Sequence, residues 1–260
     1  MGMKCLVINL DRSVDRLAHV TGQFARIGIG FERVAAVDAA NGSPVSAPRM
    51  SAPEICCFLS HRLCWQIVAD GSERYVAIFE DDVAFAADAG PLLSGDGWVP
   101  ADADLVKLET FFVKVRLGRR RLPAGGGYSL LPLAGRHVGS AGYVLSRAAA
   151  QKLLKRTERL KAAVDETLFC PTRMTCSRST VYQLVPALCV QTQFLLGDGT
   201  PSLVQIEPPE RQKRLLHKIG GEAWRAFAHL RNGTLFQTDK VEAVAFRDAA
   251  TILPRFACAR

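Results

Sequence analysis

The sequence predicts an α/β fold in which helices flank a mostly parallel sheet. Short apolar runs of β-rich composition alternate with longer segments whose apolar residues recur at intervals of three and four. In the segment 13–27, for example, Val14, Leu17, Val20 and Phe24 have the spacing of an amphipathic helix. Strands that are joined by helices usually pair in parallel, so the β-α-β-α-β order of the first part of the chain predicts a parallel sheet.

The individual elements follow from local patterns. The predicted strands are 4–10, 31–37, 75–79, 104–108 and 143–145, and the predicted helices are 13–27, 51–69 and one that begins near residue 146. Ser51 followed by Glu54 is typical of a capped helix start. The segment 111–127 carries five basic residues before three consecutive glycines. It predicts a mobile hairpin or lid, with a solvated basic loop as the alternative.

Composition sets broad limits on the protein. A chain of 260 residues with 48% hydrophobic content can bury a substantial core, and we expect one main domain, 1–206, followed by a basic helical tail, 207–260. The tail would pack on the domain or lie at a membrane surface. The net charge of +8 favours an anionic ligand or surface but does not choose between nucleic acid, acidic lipid, glycan phosphate and sugar nucleotide.

Two further features bear on location. The chain has no apolar run of about 18 residues, and its first strand is too short for a secretion signal, so we expect a cytoplasmic protein. Its eight cysteines are scattered without any C-x-x-C pair. This spacing favours free, mostly buried thiols over a zinc ribbon or disulfides.

Three adjacent carboxylates, Glu80, Asp81 and Asp82, directly follow the predicted strand 75–79. Like charges at close range are unfavourable without a compensating cation, and Mg²⁺ and Mn²⁺ prefer such oxygen ligands while leaving positions for phosphate oxygens. The triad therefore indicates a metal-diphosphate site, with a charged loop as the alternative. Ligands of parallel sheets bind beyond the carboxyl ends of strands, where residues 9–12 would also lie.

Six short blocks occur in order over about 160 residues. They are 7–12 (VINLDR) with Asp15 and Arg16, 31–38 (FERVAAVD), 57–61 (CFLSH) with Trp65, 79–83 (FEDDV), 142–146 (GYVLS) and 164–168 (VDETL). Together these blocks resemble glycosyltransferase family 25, which includes bacterial lipooligosaccharide glycosyltransferases and collagen hydroxylysine galactosyltransferases. The agreement covers about residues 4–170, with Pro186 and Gln191 as candidate later matches.

The resemblance implies a GT-A-like fold and an inverting transfer of a sugar, commonly galactose, from a UDP-sugar to a glycan acceptor. It also implies Mn²⁺ (or Mg²⁺), which would neutralise the negative charge that develops on the leaving diphosphate. By this resemblance Asp82 and Glu80 are the metal ligands. The donor-binding residues would be Asn9, Asp11, Arg12, Arg16, Asp38, His61, Glu80, Asp81 and Gly142. The catalytic base would be Asp165 or Glu166.

Several of these residues have structural alternatives. Asp11 or Ser13 can cap the following helix, with Arg12 and Arg16 as solvated partners, and Asp165 can cap a short helix over 166–169. His61 can be a satisfied core residue. His137 is a rival base or a neighbour of the metal.

Three other functions compete with this one. A sugar nucleotidyltransferase would need a glycine-rich loop after the first strand, but the sequence there, 9–13, is NLDRS. A binding module for anionic surfaces remains open, although its basic segments lack the aromatic residues and motifs of a specific nucleic-acid binder. An inactive relative also remains open. We expect a lipid-linked or surface glycan as the acceptor and contact with the anionic inner face of the membrane.

Overall fold

The computed structural model describes residues 2–42, 44–47, 49–170, 179–196 and 239–248. The strands are β1 (Lys4–Asn9), β2 (Glu32–Ala35), β3 (Tyr75–Glu80), β4 (Val83–Phe85), β5 (Leu105–Lys107), β6 (Lys114–Leu117), β7 (Leu122–Gly125), β8 (Tyr128–Pro132), β9 (Gly142–Ser146), β10 (Val181–Val185), β11 (Cys189–Gln191) and β12 (Lys240–Ala243). The helices are α1 (Val14–Ile27), α2 (Ala52–Asp70), α3 (Gly90–Leu93), α4 (Arg147–Arg156), α5 (Val164–Phe169) and α6 (Gln193–Leu196), with a 3₁₀ turn at Ala39–Asn41. The predicted alternation of strands and helices is confirmed.

Eight of the described strands form one sheet in the order β2-β1-β3-β9-β5-β10-β8-β7. Strand β1 pairs in parallel with β2 and β3, and β5 pairs in parallel with β10. Strands β9 and β8 run antiparallel to both of their neighbours. Six strands therefore share one direction and two oppose it, which confirms the predicted α/β fold. The sequence predicted the strand that became β9 but not that it runs antiparallel, because the direction of a strand depends on how the chain returns to the sheet.

The central strands are buried on both faces. Val7 of β1 belongs to a core that includes Phe24 of α1, whereas its neighbour Ile8 belongs to a second core that includes Trp65 of α2. Successive side chains of a strand point to opposite faces, so helices cover both sides of the sheet. Burial on both faces explains why these strands are continuous apolar runs in the sequence.

Two helices begin at the serines expected from the sequence. The Ser51 hydroxyl accepts the Glu54 N–H while the Glu54 carboxylate accepts the Ser51 N–H, which is the predicted capping box. Ser146 caps α4 by accepting the Ala149 N–H. These caps set the start of α2, and hence the position of its first turns beside the sheet edge.

The basic segment 111–127 contains two strands, β6 and β7, but they do not pair with each other as the two strands of the predicted hairpin would. Strand β6 pairs with β12, and β7 pairs with β8 at the edge of the main sheet. Val115 and Leu117 are buried and alternate with Lys114 and Arg116. The basic residues therefore occupy one side of a strand whose other side belongs to the core.

The predicted tail, 207–260, is described only at 239–248, and its domain boundary stays a prediction. Here β12 pairs with β6, Phe246 is buried, and Arg247 Nε lies 3.0 Å from Asp88 Oδ2. This part forms strand and turn and no helix, while the helix predicted from Pro208 onward lies outside the described residues. Within the described ranges, no helix has both the length and the hydropathy needed to cross a bilayer.

We expect Gly142→Ala to lower the free energy of unfolding by about 1–3 kcal/mol. A Cβ at this position in β9 would lie 2.4 Å from the buried Cys189 Sγ and 3.3 Å from the Phe79 ring. Gly22→Ala is the matched control because a Cβ at residue 22 of α1 meets nothing within 4 Å. That change should stabilise the protein by about 0.5–1 kcal/mol. Urea unfolding measures both, and an unchanged stability of Gly142→Ala would contradict the packing role of this glycine.

Candidate active site

A pocket opens at the carboxyl edge of the sheet, where the sequence predicts one. In the parallel register of β1 and β3, Ile8 lies opposite Glu80, so the residues that follow the two strands meet. The first turns of α2 and residues 36–39 complete the wall. The predicted site residues that line this pocket are Asn9, Arg12, Arg16, Asp38, His61, Glu80, Asp81 and Asp82. Among the described residues, Asp11, Gly142, Asp165 and Glu166 lie outside that lining.

Asp81 is held by two neighbours through both of its oxygens. Asn9 Nδ2 donates to Oδ2 at 2.7 Å, and Arg16 Nη1 donates to Oδ1 at 3.1 Å. Asn9 also donates to the Ser13 carbonyl, and its own side-chain oxygen accepts from Arg33 Nε at 2.9 Å. Asn9 is therefore a buried bridge that orients Asp81.

Asp82 carries a partly uncompensated charge. The same amide nitrogen of Gln191 lies 3.1 Å and 3.3 Å from its two carboxylate oxygens, and Arg16 lies at 3.7 Å. Burial and the nearby charges of Glu80 and Asp81 nevertheless raise the pKa of Asp82 to about 7, against the opposing effect of Arg16. A further cation close to Asp82 would therefore stabilise its ionised form.

Glu80 is stabilised in its ionised form. Burial alone would raise its pKa, but hydrogen bonds from His61 and Ser140, with the charge of Lys107, lower the pKa below its usual value. His61 Nε2 lies 3.3 Å from Glu80 Oε1, and Ser140 Oγ donates to the same oxygen at 2.8 Å. Both of these contacts, made by described residues, end on Oε1, so Oε2 is the oxygen that could take a ligand.

A buried chain of hydrogen bonds sets the orientation of His61. Trp65 Nε1 donates to the Tyr143 hydroxyl at 2.9 Å, and that hydroxyl lies 2.9 Å from His61 Nδ1. The indole can only donate, so the Tyr143 oxygen accepts from it and the Tyr143 proton is available to Nδ1. Nε2 then carries the proton that faces Glu80. His61 is a core residue and a wall of the pocket at once.

The turn that carries Ser140 is held in place by a buried ion pair between Lys107 and Glu109. Lys107 Nζ lies 2.8 Å from Glu109 Oε1 and donates to the Gly139 carbonyl at 2.6 Å. Glu109 Oε1 also accepts the Ala141 N–H at 2.9 Å. Burial raises the pKa of Glu109 to about 7, with the charge of Lys107 acting in the opposite direction. The pair therefore holds the backbone that places Ser140 beside Glu80.

The candidate bases occupy different surroundings. Asp165 Oδ2 accepts the Gly139 N–H at 3.0 Å and Oδ1 accepts the Glu166 N–H at 2.7 Å. It does not cap α5, which begins at Val164 after Ala163 at the cap position. Glu166 pairs with Arg136 at 2.9 Å. The alternative of a helix over 166–169 capped by Asp165 is therefore wrong, because α5 begins two residues earlier and Asp165 lies in its first turn.

His137 is buried and poorly suited to act as a base. Its Nδ1 lies 2.8 Å from Gln183 Oε1, and Nε2 has no hydrogen-bond partner among the described residues. Burial, followed by the charge of Lys107, lowers the pKa of His137 to about 3. At neutral pH the imidazole is uncharged.

The arginines after β1 are partly occupied by acids of the protein. Arg12 Nε lies 2.7 Å from Asp38 Oδ2, and Asp38 also accepts the Ala40 N–H. The hydrogen bonds from Arg12 and Ala40 lower the pKa of Asp38. Asp11 is largely exposed and pairs with Arg33 at 2.5 Å. Arg12 and Asp38 thus form one side of the pocket opening, whereas Asp11 forms an ion pair with Arg33 of β2.

Four residues that support the site were not singled out as site residues from the sequence. They are Arg33, Ser140, Tyr143 and Gln191. Arg33, Ser140 and Tyr143 stand in or near blocks that carry the family resemblance, and Gln191 is one of its candidate later matches, so the resemblance is the signal that could have found them. Their hydrogen bonds join positions 24, 60, 82 and 109 residues apart, so spacing along the chain could not indicate the partners.

Comparison with known proteins identifies the family. The sequence profile of glycosyltransferase family 25 (LPS biosynthesis protein) matches residues 3–168. The chain belongs to glycosyltransferase family 25. The lacto-N-neotetraose biosynthesis glycosyltransferase LgtE of Neisseria gonorrhoeae is 34% identical over 205 residues, which cover 71% of this chain and 72% of the relative. The lipooligosaccharide biosynthesis protein lic2B of Haemophilus influenzae is 27% identical over 227 residues, with coverage of 80% and 83%.

The region of this family 25 glycosyltransferase that matches the profile, 3–168, includes every residue that lines the pocket and both candidate bases. As a glycosyltransferase it acts on a sugar donor and an acceptor. A solved glycosyltransferase involved in glycosylation of the major capsid of PBCV-1 superposes with a TM-score of 0.41 at 8% identity, covering 86% of this chain and 98% of that one. That similarity is too low to bear on the function.

We expect Glu109→Gln to destabilise the protein by about 3–5 kcal/mol, because the change leaves the buried Lys107 ammonium without its counter-charge. The matched control is Glu32→Gln, which breaks the half-exposed pair between Lys4 and Glu32 and should cost under about 1 kcal/mol. Urea unfolding at neutral pH measures both. Equal effects of the two changes would contradict the structural role assigned to the buried pair.

The raised pKa of Asp82 predicts a pH-dependent stability in metal-free protein. A carboxyl with a folded-state pKa of about 7 and an ordinary unfolded-state pKa gives a stabilisation that is fully present below the unfolded-state pKa, is lost as the pH rises from there through about 7, and does not change further above that. Asp82→Asn cannot ionise and should be more stable than the parent at pH 8, on the order of 2 kcal/mol. The difference should shrink at pH 5. Thermal unfolding with a chelator tests this, and parallel pH profiles of the two proteins would contradict it.

Proposed function

We propose that this protein is an inverting, metal-dependent glycosyltransferase that moves galactose from a UDP-sugar to a glycan acceptor of lipopolysaccharide or lipooligosaccharide. The observation that carries the proposal is the pocket in which the acids at the end of β3 meet Arg12 and Arg16. Acids that can hold a cation and arginines that can hold phosphate are the two needs of a nucleotide-sugar donor.

The residues at the end of β3 suit a divalent cation. Asp82 has a raised pKa because burial and its acidic neighbours outweigh Arg16, which indicates an excess of negative charge. The available ligands are carboxylate oxygens, the type that Mn²⁺ and Mg²⁺ prefer. Asp82 and Glu80 would hold the ion, since both oxygens of Asp81 are engaged by Asn9 and Arg16. A bound ion would neutralise the charge that develops on the UDP leaving group.

The arginines of the pocket would bind the diphosphate. Arg16 uses one nitrogen to contact Asp81 and Asp82, so its guanidinium keeps other N–H donors for phosphate oxygens. Arg12 is more exposed and lies across the pocket mouth in its pair with Asp38. We infer that Asp38, kept ionised by that pair, accepts a hydrogen bond from the ribose or the base of the nucleotide.

Transfer with inversion needs a base for the acceptor hydroxyl. The acceptor oxygen attacks the anomeric carbon on the face opposite to UDP, the bond from that carbon to the diphosphate oxygen breaks, and UDP leaves with the electron pair. We assign the hydroxyl proton to Asp165 in preference to Glu166, because the Asp165 carboxylate accepts from neutral backbone N–H groups whereas Glu166 is paired with the charged Arg136. Burial raises the pKa of Cys57, a residue of the pocket wall, and the charges of Glu80 and then of Asp165 raise it further.

The acceptor proposal rests on the relatives and on charge. The relatives are named for lacto-N-neotetraose and lipooligosaccharide biosynthesis, which supports a bacterial surface glycan as the acceptor. The net charge of +8 supports a peripheral position at the anionic inner face of the membrane.

The first test measures binding and turnover of UDP-, GDP- and CMP-sugars with and without Mn²⁺. We expect turnover of UDP-galactose that requires Mn²⁺ and is lost in Asp82→Asn, because the amide cannot replace a charged metal ligand. Asp70→Asn, an exposed acid at the end of α2, is the control and should behave as the parent. A folded parent that ignores every donor with Mn²⁺ present would overturn the proposal.

Asp165→Asn separates the base from a structural clamp. If Asp165 accepts the proton, kcat falls by about 10²- to 10⁴-fold while the affinity for the UDP-sugar stays close to that of the parent. A clamp of the Gly139 turn would instead disturb Ser140 and Glu80, and donor affinity would fall together with thermal stability. The second result would remove Asp165 from the mechanism.

A further inference from the structure

Three different metal-binding groups converge on one wall of the pocket. Cys57 and His61 stand one turn apart on α2 and therefore share a face of the helix, and Glu80 ends β3. One ligand atom from each residue lies within 4.8 Å of the other two. The cluster contains a sulfur, an imidazole nitrogen and a carboxylate oxygen, so it differs in chemistry from the all-oxygen group of Asp81 and Asp82.

We propose that Cys57, His61 and Glu80 form a second cation site, selective for a thiophilic divalent ion such as Zn²⁺, with its open coordination position towards the donor pocket. Zn²⁺ takes Cys, His and carboxylate ligands in a four-coordinate arrangement, and three protein ligands leave one position for a small ligand. Mn²⁺ has little preference for a thiolate and would remain with the carboxylates. The two sites are therefore distinguished by ligand softness.

The surrounding residues already form an outer shell for such a site. Metal-bound histidines usually donate their second N–H to a protein acceptor, and Tyr143 provides a hydroxyl oxygen 2.9 Å from His61 Nδ1. In the metal-bound state the Tyr143 hydroxyl would turn its proton away from Nδ1, and its oxygen, which has two lone pairs, would accept from both Trp65 and His61. Ser140 fixes Glu80 through Oε1.

Charge and proton balance are consistent with binding. The ion would displace the thiol proton of Cys57, and the proton on His61 Nε2 would move to Nδ1, so one proton is released for each ion bound. A thiolate and a carboxylate then neutralise the two positive charges of the ion, and the buried cluster has no net charge. No oxidant or further reactant is required.

Occupation of this site would block the donor. Cys57, His61 and Glu80 line the same pocket as Arg12 and Arg16, and Glu80 belongs to both proposed cation sites. A thiophilic ion that holds Glu80 removes it from the site at Asp82. The inhibition rests on the proposed function, whereas binding of the ion does not.

Co²⁺ is the probe for binding, because a cobalt–thiolate bond absorbs in the near ultraviolet. Chelator-treated, reduced protein should bind one equivalent of Co²⁺ with this absorption, and Zn²⁺ should abolish it by displacement. The absorption should be lost in Cys57→Ser and kept in Cys64→Ser, a buried thiol of α2 that does not line the pocket. No absorption in the parent, or the same absorption in Cys57→Ser, would overturn the site.

Glu80→Gln provides a test that keeps the thiol. It should weaken Co²⁺ binding at least about tenfold, because a neutral amide replaces a charged ligand. Thermal unfolding confirms that each variant is folded. An unchanged Co²⁺ affinity would exclude Glu80 as a ligand. Only Cys57 and His61 of α2 would then remain, which contradicts the proposed three-ligand site.

Transfer assays with Mn²⁺ present test the inhibition. Added Zn²⁺ should raise the KM for the UDP-sugar in the parent but not in Cys57→Ser. Cobalt absorption without any transfer activity would support the site and overturn the proposed function. Transfer activity without cobalt absorption would do the reverse. Equal inhibition of the parent and Cys57→Ser would show that Zn²⁺ acts elsewhere.

Discussion

The repulsion between Glu80, Asp81 and Asp82 at the end of a buried strand is the constraint on which the pocket depends. Each acid has a different set of partners: Arg16 and the Asn9 amide for Asp81, the Gln191 amide and the more distant Arg16 for Asp82, and an imidazole and a hydroxyl for Glu80. Burial makes these contacts strong and also makes any missing charge expensive. The arrangement leaves Asp82 with the raised pKa, so the remaining demand for a cation is concentrated there.

Much of the surrounding structure serves to hold these partners. The buried pair of Lys107 and Glu109 secures the backbone near Gly139, which carries Ser140 to Glu80. On the other side, Trp65 orients Tyr143 and through it His61. The site is thus supported from the sheet and from α2. A change in either supporting pair would disturb the acids although neither pair contacts them as a ligand does.

The wall formed by Cys57 and His61 adds a second kind of chemistry to the same pocket. Oxygen ligands at Asp82 suit a hard cation, while the thiol beside His61 suits a soft one. Burial and the charges of nearby acids raise the pKa of the Cys57 thiol well above its usual range. The thiol therefore stays protonated and unreactive until an ion with real affinity for sulfur replaces the proton.

The strand–helix order, the Ser51 cap, the acidic end of β3 and the family resemblance could be predicted from the sequence, because each is encoded in short windows of residues. The sequence also placed residues 9–12 and 80–82 at one edge, since parallel strands end on the same side. Only the tertiary structure decided that β9 runs antiparallel, that Asp165 binds the Gly139 turn and that Gln191 reaches Asp82. These depend on contacts between distant segments, whose partners are chosen by packing and charge in three dimensions and leave no periodic signal along the chain.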